Sequence, residues 1–243
     1  MTSPRFTDEF GSTYVLIEPG NFNMGDSVGD GLLREHPVHN VSIENPFFIG
    51  QRPVTQIHWS TVMKNNPSKF QDGWSSGLRP VENVSWYDCI DFIDTLNELH
   101  SEVKHLSLPG FWRLPTESEW EYCARSGTIS KWSFGNFDVD LDQYGWHAGN
   151  SGASTREVGI KKSNNWELYD MYGLVSEWCQ DNYRDNYSRP SNQYAYVDDS
   201  DIHCHRGGCW FTESDSTRSS ARSYSKGSKI SDGIGFRLVW EPK

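Results

Sequence analysis

At 243 residues, 35% of them hydrophobic, the chain can bury a sizeable core as a single domain over residues 1–243, and no shift in composition divides it. Thirty-three acidic side chains against 22 basic ones leave a formal charge of −11, which repels phosphate backbones and excludes nucleic acid as the expected partner. No apolar run is long enough to span a bilayer, and residues 1–5 lack the apolar core of a secretion signal, so no membrane partner is expected and the compartment is predicted to be cytoplasmic.

In chain order, Tyr14 to Ile17 is a short strand signal closed by Pro19-Gly20, and Val38 to Ile43 alternates as a half-buried strand does; the two are expected to pair. His36 and His39 are expected to bond backbone nearby. Thr55 caps a short helix with Trp59, Val62 and Met63 at helical spacing, stopped by Asn65-Asn66-Pro67. Ser85 opens a second helix with Trp86, Cys89, Ile90 and Ile93 on one face. A third starts at Thr116, with Glu119 completing a capping box and Trp120, Cys123 and Ala124 as its apolar stripe, a scaffolding role. Beyond Gly127 regular periodicity lapses, apart from Trp166 to Trp178 and the last strand. The class is α+β and loop-rich, with 11 Trp, 11 Tyr and 12 Phe to pin irregular backbone.

The end of the chain is the most informative part. Arg206-Gly207-Gly208-Cys209-Trp210 and Gly235-Phe236-Arg237-Leu238-Val239 bracket a polar segment without helical or strand period, and Phe236, Leu238 and Trp240 alternate as one buried strand face. A segment held at both ends displays its side chains, so a ligand-displaying stretch is predicted at about residues 206–235, with Cys209, Trp210, Phe211, Thr212, Asp215, Ser216, Thr217, Arg222 and Tyr224 as the binding candidates. Arg218 and Arg222 either pin this stretch or touch the ligand. Five dispersed cysteines in a reducing compartment read as free buried thiols. Only Cys204 and Cys209, with His203 and His205, could cluster; if residues 203–206 are extended, Cys204 points away from the two histidines and the four do not converge.

Read in order, Asn23-Met24-Gly25, Glu35-His36-Pro37-Val38-His39, Pro53-Val54-Thr55, Pro80 to Trp86, Arg113-Leu114-Pro115-Thr116-Glu117, Leu168-Tyr169-Asp170-Met171, Arg206-Gly207-Gly208 and Gly235-Phe236-Arg237 resemble the formylglycine-generating enzyme family, also called the sulfatase-modifying-factor domain. The resemblance covers nearly the whole chain and implies a loop-rich variant of the C-type lectin fold. Active members resemble one another in a copper-holding cysteine pair after the Gly-Gly motif. Here residues 211–222 contain no cysteine, and Thr212 and Thr217 stand roughly where the thiolates would be. Soft Cu(I) needs sulfur donors, so neither copper nor iron is expected. The resemblance also implies one structural Ca²⁺ site, at Asp170, Gly173, Val175 and Glu177, two carboxylates with two backbone carbonyls between them.

The function these features imply is a non-catalytic ligand-binding display protein, with a protein as ligand and oligomeric state left open. The pattern is similar to that of variable proteins diversified by retroelements on this fold. The alternative is a metal-dependent oxidoreductase of the same family acting on a peptide or small metabolite, with Cys204 and Cys209 as participants.

Overall fold

A computed structural model describes residues 3–103, 105, 106, 108–188 and 192–243. Its strands and helices follow in the order β1 (Arg5–Thr7), β2 (Thr13–Ile17), β3 (Gly20–Met24), β4 (His39–Ile43), β5 (Phe47–Gly50), α1 (Gln56–Met63), α2 (Trp86–Leu99), β6 (Gly110–Arg113), α3 (Glu117–Arg125), α4 (Leu141–Tyr144), β7 (Ser176–Asn182), β8 (Ile202–Arg206), β9 (Arg222–Lys226), β10 (Ile234–Gly235) and β11 (Val239–Pro242).

Thr55, Ser85 and Thr116 cap α1, α2 and α3 with their side-chain hydroxyls, and the last two complete reciprocal capping boxes with Asp88 and Glu119. A five-stranded antiparallel sheet runs β1-β2-β5-β11-β6, with the C-terminal strand β11 between β5 and β6. Strand period 2 divides its side chains between two cores. Tyr14, Phe48 and Trp240 face α1 and α2, where they join Trp59, Phe92 and Phe236. Ile17, Phe47, Ile49 and Val239 face the other way, towards Trp120 and Cys123 of α3.

The expected pairing of Tyr14–Ile17 with Val38–Ile43 is corrected. β2 pairs with β1 and β5, while β4 pairs with β3, Asn23 opposite Asn40 and Phe22 opposite Val41. β3 is Gly-Asn-Phe-Asn-Met, which lacks the β-branched residues that mark a strand, yet it precedes β4 in the chain and forms an antiparallel two-stranded ribbon with it. The wholly buried Phe47–Gly50 run then takes the place beside β2.

A second sheet, β10-β7-β8-β9, lies under the C-terminal segment, with β10 parallel to β7 and the other pairs antiparallel. β9 falls inside the stretch expected to be aperiodic, which is a second correction. Its sequence, Arg-Ser-Tyr-Ser-Lys, has no alternation of polarity to read, because its buried position is an arginine.

Candidate functional site

The C-terminal segment is fastened to the body of the protein by charge. α3 presents Glu117, Glu119 and Glu121, all buried, so this helix is enclosed on every side rather than along an apolar stripe alone. Arg222 forks onto Glu117, Nε to Oε1 at 2.6 Å and Nη2 to Oε2 at 2.8 Å. Arg206, on β8, donates to Glu121, which also accepts from Arg125 Nε at 2.9 Å. Arg218 forks onto Glu35 at 2.7 and 2.9 Å, and Arg237 onto Glu177 at 2.6 Å through both nitrogens. Burial alone would raise the Glu117 carboxyl, but Arg222 and Arg206 overcome it and hold it at about 2. Bidentate pairs of this kind fix direction as well as distance. Arg222 adds bonds to the carbonyls of Arg34 (2.7 Å) and Arg184 (2.8 Å), so a single side chain ties β9 to α3 and to two loops. Of the two roles left open for Arg218 and Arg222, pinning is the one their geometry serves.

Between these anchors the chain turns outward. Phe211 is 48% exposed and Tyr224 47%, Asp215 and Ser216 are exposed, and Trp210 and Thr212 are half-buried. Trp210 is held by its indole N–H on the Asp232 carbonyl at 2.8 Å and by edge contact with Phe70. Tyr224 stacks on Tyr183 with ring centroids 4.0 Å apart, beside an open recess of about 430 Å³ that Tyr196 and Asp198 also line. A narrower cleft of about 150 Å³ runs between residues 30–35 and Asp215, Ser216 and Ser223.

Three of the binding candidates are not on this surface. Thr217 is fully buried, accepting from the Trp132 indole at 3.0 Å and donating to the Ser214 carbonyl at 2.7 Å. Arg222 is buried on Glu117, and Cys209 is buried beneath Phe211 and Gly233. Sequence reasoning also missed the partners from elsewhere in the chain: residues 30–35, Tyr183 and Tyr196. No local pattern announces them, because each meets the segment from more than 25 residues away.

Gly207 and Gly208 have φ of 97° and 67°, which only glycine adopts easily. A Cβ on Gly208 would meet Thr212 Oγ1 at 2.8 Å and Thr217 Cγ2 at 2.9 Å, so the two threonines flank one turn. The positions at which family resemblance puts a thiolate pair are thus adjacent in space and occupied by neutral hydroxyls already hydrogen-bonded. Thr212 Oγ1 accepts from the Cys209 N–H at 2.9 Å. Cys204 faces Glu117 at 3.4 Å, on the opposite side of β8 from His203 and His205. Burial pushes the Cys209 thiol up to about 11 and the Cys204 thiol well above its usual range.

The calcium candidates divide. Asp170 is buried with φ of 58°; its Oδ2 accepts from the Gly159 N–H at 2.7 Å, while Oδ1 is sealed from solvent with no partner. Burial pushes its carboxyl up to about 6. A buried carboxylate oxygen lacking a donor fits a hard cation. Glu177 does not: Arg237 takes both its oxygens and the Trp120 indole shares Oε2 at 2.7 Å, so its charge is already matched. Glu177 is therefore assigned to Arg237 rather than to an ion, which leaves Asp170 as the candidate carboxylate. Among the described residues no three His, Cys, Asp or Glu side chains gather as a metal site.

The profile of the sulfatase-modifying factor enzyme 1-like domain family matches residues 3–242. The chain is similar to Treponema denticola variable protein 1, with 31% identity, 99% of this chain and 100% of that one covered, and a TM-score of 0.87. It is 30% identical over 207 residues to the chaperone protein LppX of Paenibacillus barcinonensis, 68% of this chain and 70% of that protein. It is 26% identical to the inactive C-alpha-formylglycine-generating enzyme 2 of Bos taurus, over 93% of this chain and 87% of that protein. The chain spans 38% of the length of the chlamydial serine/threonine-protein kinases that it also matches. The fold is accordingly the formylglycine-generating-enzyme-like, loop-rich variant of the C-type lectin fold. No helix among the described residues is long and apolar enough to cross a membrane.

Proposed function

The chain belongs to the sulfatase-modifying factor enzyme 1-like family, and from that premise we propose that it is a non-catalytic ligand-binding protein that presents its C-terminal segment to a protein partner. The observation that carries this reading is a division of labour along residues 206–226. Arg206, Thr217, Arg218 and Arg222 face inward and bond to the body of the protein, whereas Phe211, Asp215, Ser216 and Tyr224 face solvent. An aromatic and small-polar mixture is what binding loops use. Hydroxyls at Thr212 and Thr217, in place of two sulfurs, leave no soft donor pair for copper. The oxidoreductase alternative would rely on Cys204 and Cys209, whose thiols are held far from ionisation.

Similarity to a protein named as variable suits a surface whose outward residues can change without touching the anchors, and diversification by a retroelement is part of the proposal. A near-identical template repeat and a reverse transcriptase beside the gene would support it; a gene without either would remove it. The proposal also includes one Ca²⁺ at Asp170 and a cytoplasmic location. The direct test is capture of partners from a lysate of the source cell by the wild-type chain and by a variant with Phe211, Asp215 and Tyr224 replaced by Ser and Ser216 by Ala. Loss of the captured proteins with an unchanged melting temperature is expected, and equal capture by both would refute display.

A further inference from the structure

The narrower cleft contains a cation that the fold does not use. Arg206, Arg218, Arg222 and Arg125 are each matched to a buried glutamate, and Lys131 is matched to Asp30 at 2.5 Å. Arg34 is not. Its main chain is fixed, since its carbonyl accepts from Arg222 and its neighbour Glu35 is gripped by Arg218 and, at 2.8 Å, by Ser220. No acceptor among the described residues bonds its guanidinium, whose Nε is shut off from solvent without a partner, and the side chain lines the cleft. Its charge is felt as far as Tyr183, at the recess beside Tyr224. A guanidinium carried on rigid backbone, half-buried and unmatched, is unusual on a chain of net charge −11. Asp215 at the cleft's other wall is exposed and forms no ion pair among the described residues, so solvent screens it from Arg34 more than a desolvated ligand would be screened.

We propose that Arg34 is the anchor for a carboxylate of the bound partner, received in the cleft between residues 30–35 and 215–223. This rests on the display reading, and it names the chemistry that the displayed surface recognises. A planar guanidinium meets a carboxylate with two parallel N–H donors, and here the terminal nitrogens supply them. The cleft, at about 150 Å³, holds a carboxylate group and the carbon bearing it but not a large ring. Ser216 and Ser223 line the same cleft and add hydroxyls to fix the group's rotation. The carboxylate comes either from an Asp or Glu side chain or from a chain terminus.

The intact nitrogen-15-labelled protein should be titrated with three probes, N-acetyl-glutamate N-methylamide, N-acetyl-alanine and N-acetyl-glutamine N-methylamide, following guanidinium resonances by NMR. The Arg34 signal is assigned as the one missing from Arg34→Gln, a variant that keeps the backbone carbonyl on which Arg222 depends. A saturable shift of that signal with the first probe identifies a side-chain carboxylate, and with the second a terminal one; the amide probe should leave it unmoved. Affinity read from the cleft's amide signals should weaken at least about tenfold in Arg34→Gln, the loss of a charge-assisted contact. No shift with either acid, or the same shift with the amide, overturns the proposal. If partner capture depends on Phe211 and Tyr224 while the acids fail, display stands and the Arg34 assignment falls. If the acids bind while capture ignores the displayed residues, the opposite holds.

Discussion

The two halves of the molecule are held by different forces. Around α1, α2 and the five-stranded sheet, Trp59 stacks on Phe92 at 5.1 Å and Trp112 packs against Trp240 at 4.9 Å within one cluster of buried apolar side chains. Around α3 and the C-terminal segment, Arg–Glu pairs tie β8 and β9 to the helix and Arg218 to Glu35 in the stretch between β3 and β4. Apolar packing is non-directional and depends on total volume, so most residues of such a region take part in it. A bidentate pair fixes the backbone at one point and leaves its neighbours unconstrained. The second region can therefore hold a shape while its intervening side chains vary.

The comparison breaks most visibly where an anchor is removed. Arg222→Ala should cost about 3–5 kcal/mol in urea denaturation, since Glu117 is left charged in the interior. Trp59→Ala, in the apolar half, should cost a similar amount, about 3–5 kcal/mol, by leaving a cavity. The two differ with pH. Glu117 is depressed to about 2, so its contribution is complete above the ordinary glutamate value and fades as pH falls towards 2; the cost of Arg222→Ala should shrink over that window, while that of Trp59→Ala should not. A cost of Arg222→Ala independent of pH would show that the pair is not what holds β9.

A sharper comparison pairs single and double replacement. Arg218→Met alone should destabilise by about 3 kcal/mol, and adding Glu35→Leu should recover most of that loss, because the penalty lies in the orphaned charge and not in the missing attraction. Apolar neighbours offer no such recovery. If the double variant is the sum of the singles, the charged framework acts through packing instead.

The calcium expectation yields a smaller effect. Burial holds Asp170 up to about 6, so this group favours folding below the ordinary aspartate value and the favour is lost as pH rises through 6. Millimolar Ca²⁺ should then raise the melting temperature at pH 7.5 by a few degrees, roughly what about 1 kcal/mol gives. It should do little at pH 5 and nothing in Asp170→Asn. An equal rise in that variant would place the ion elsewhere.

Legibility in the sequence followed the same division. Thr55, Ser85 and Thr116 were readable as caps because capping is local, and α1, α2 and the alternating Phe236, Leu238 and Trp240 were readable from apolar period. β9 was not readable, because its inward residue is Arg222 and burial of an arginine depends on Glu117, over 100 residues away. For the same reason the burial of Thr217 is not legible locally, since it depends on Trp132, and neither is the unmatched guanidinium of Arg34, which depends on how distant glutamates are shared. Phe211, Asp215, Ser216 and Tyr224 were legible as surface residues of the segment, but the opposing wall of the cleft was not.

The central claim, that the outward residues of the C-terminal segment are independent of the framework beneath them, is tested most directly by one melting experiment. Phe211, Asp215, Ser216, Ser223 and Tyr224 are replaced together by Ser or Ala and the thermal unfolding transition is compared with that of the wild-type chain. Because surface substitutions each stay within about 0.5 kcal/mol, the account predicts a cooperative transition shifted by no more than about 2–4 °C per kcal/mol accumulated. Loss of the cooperative transition, or a drop as large as that of Arg222→Ala, would contradict it.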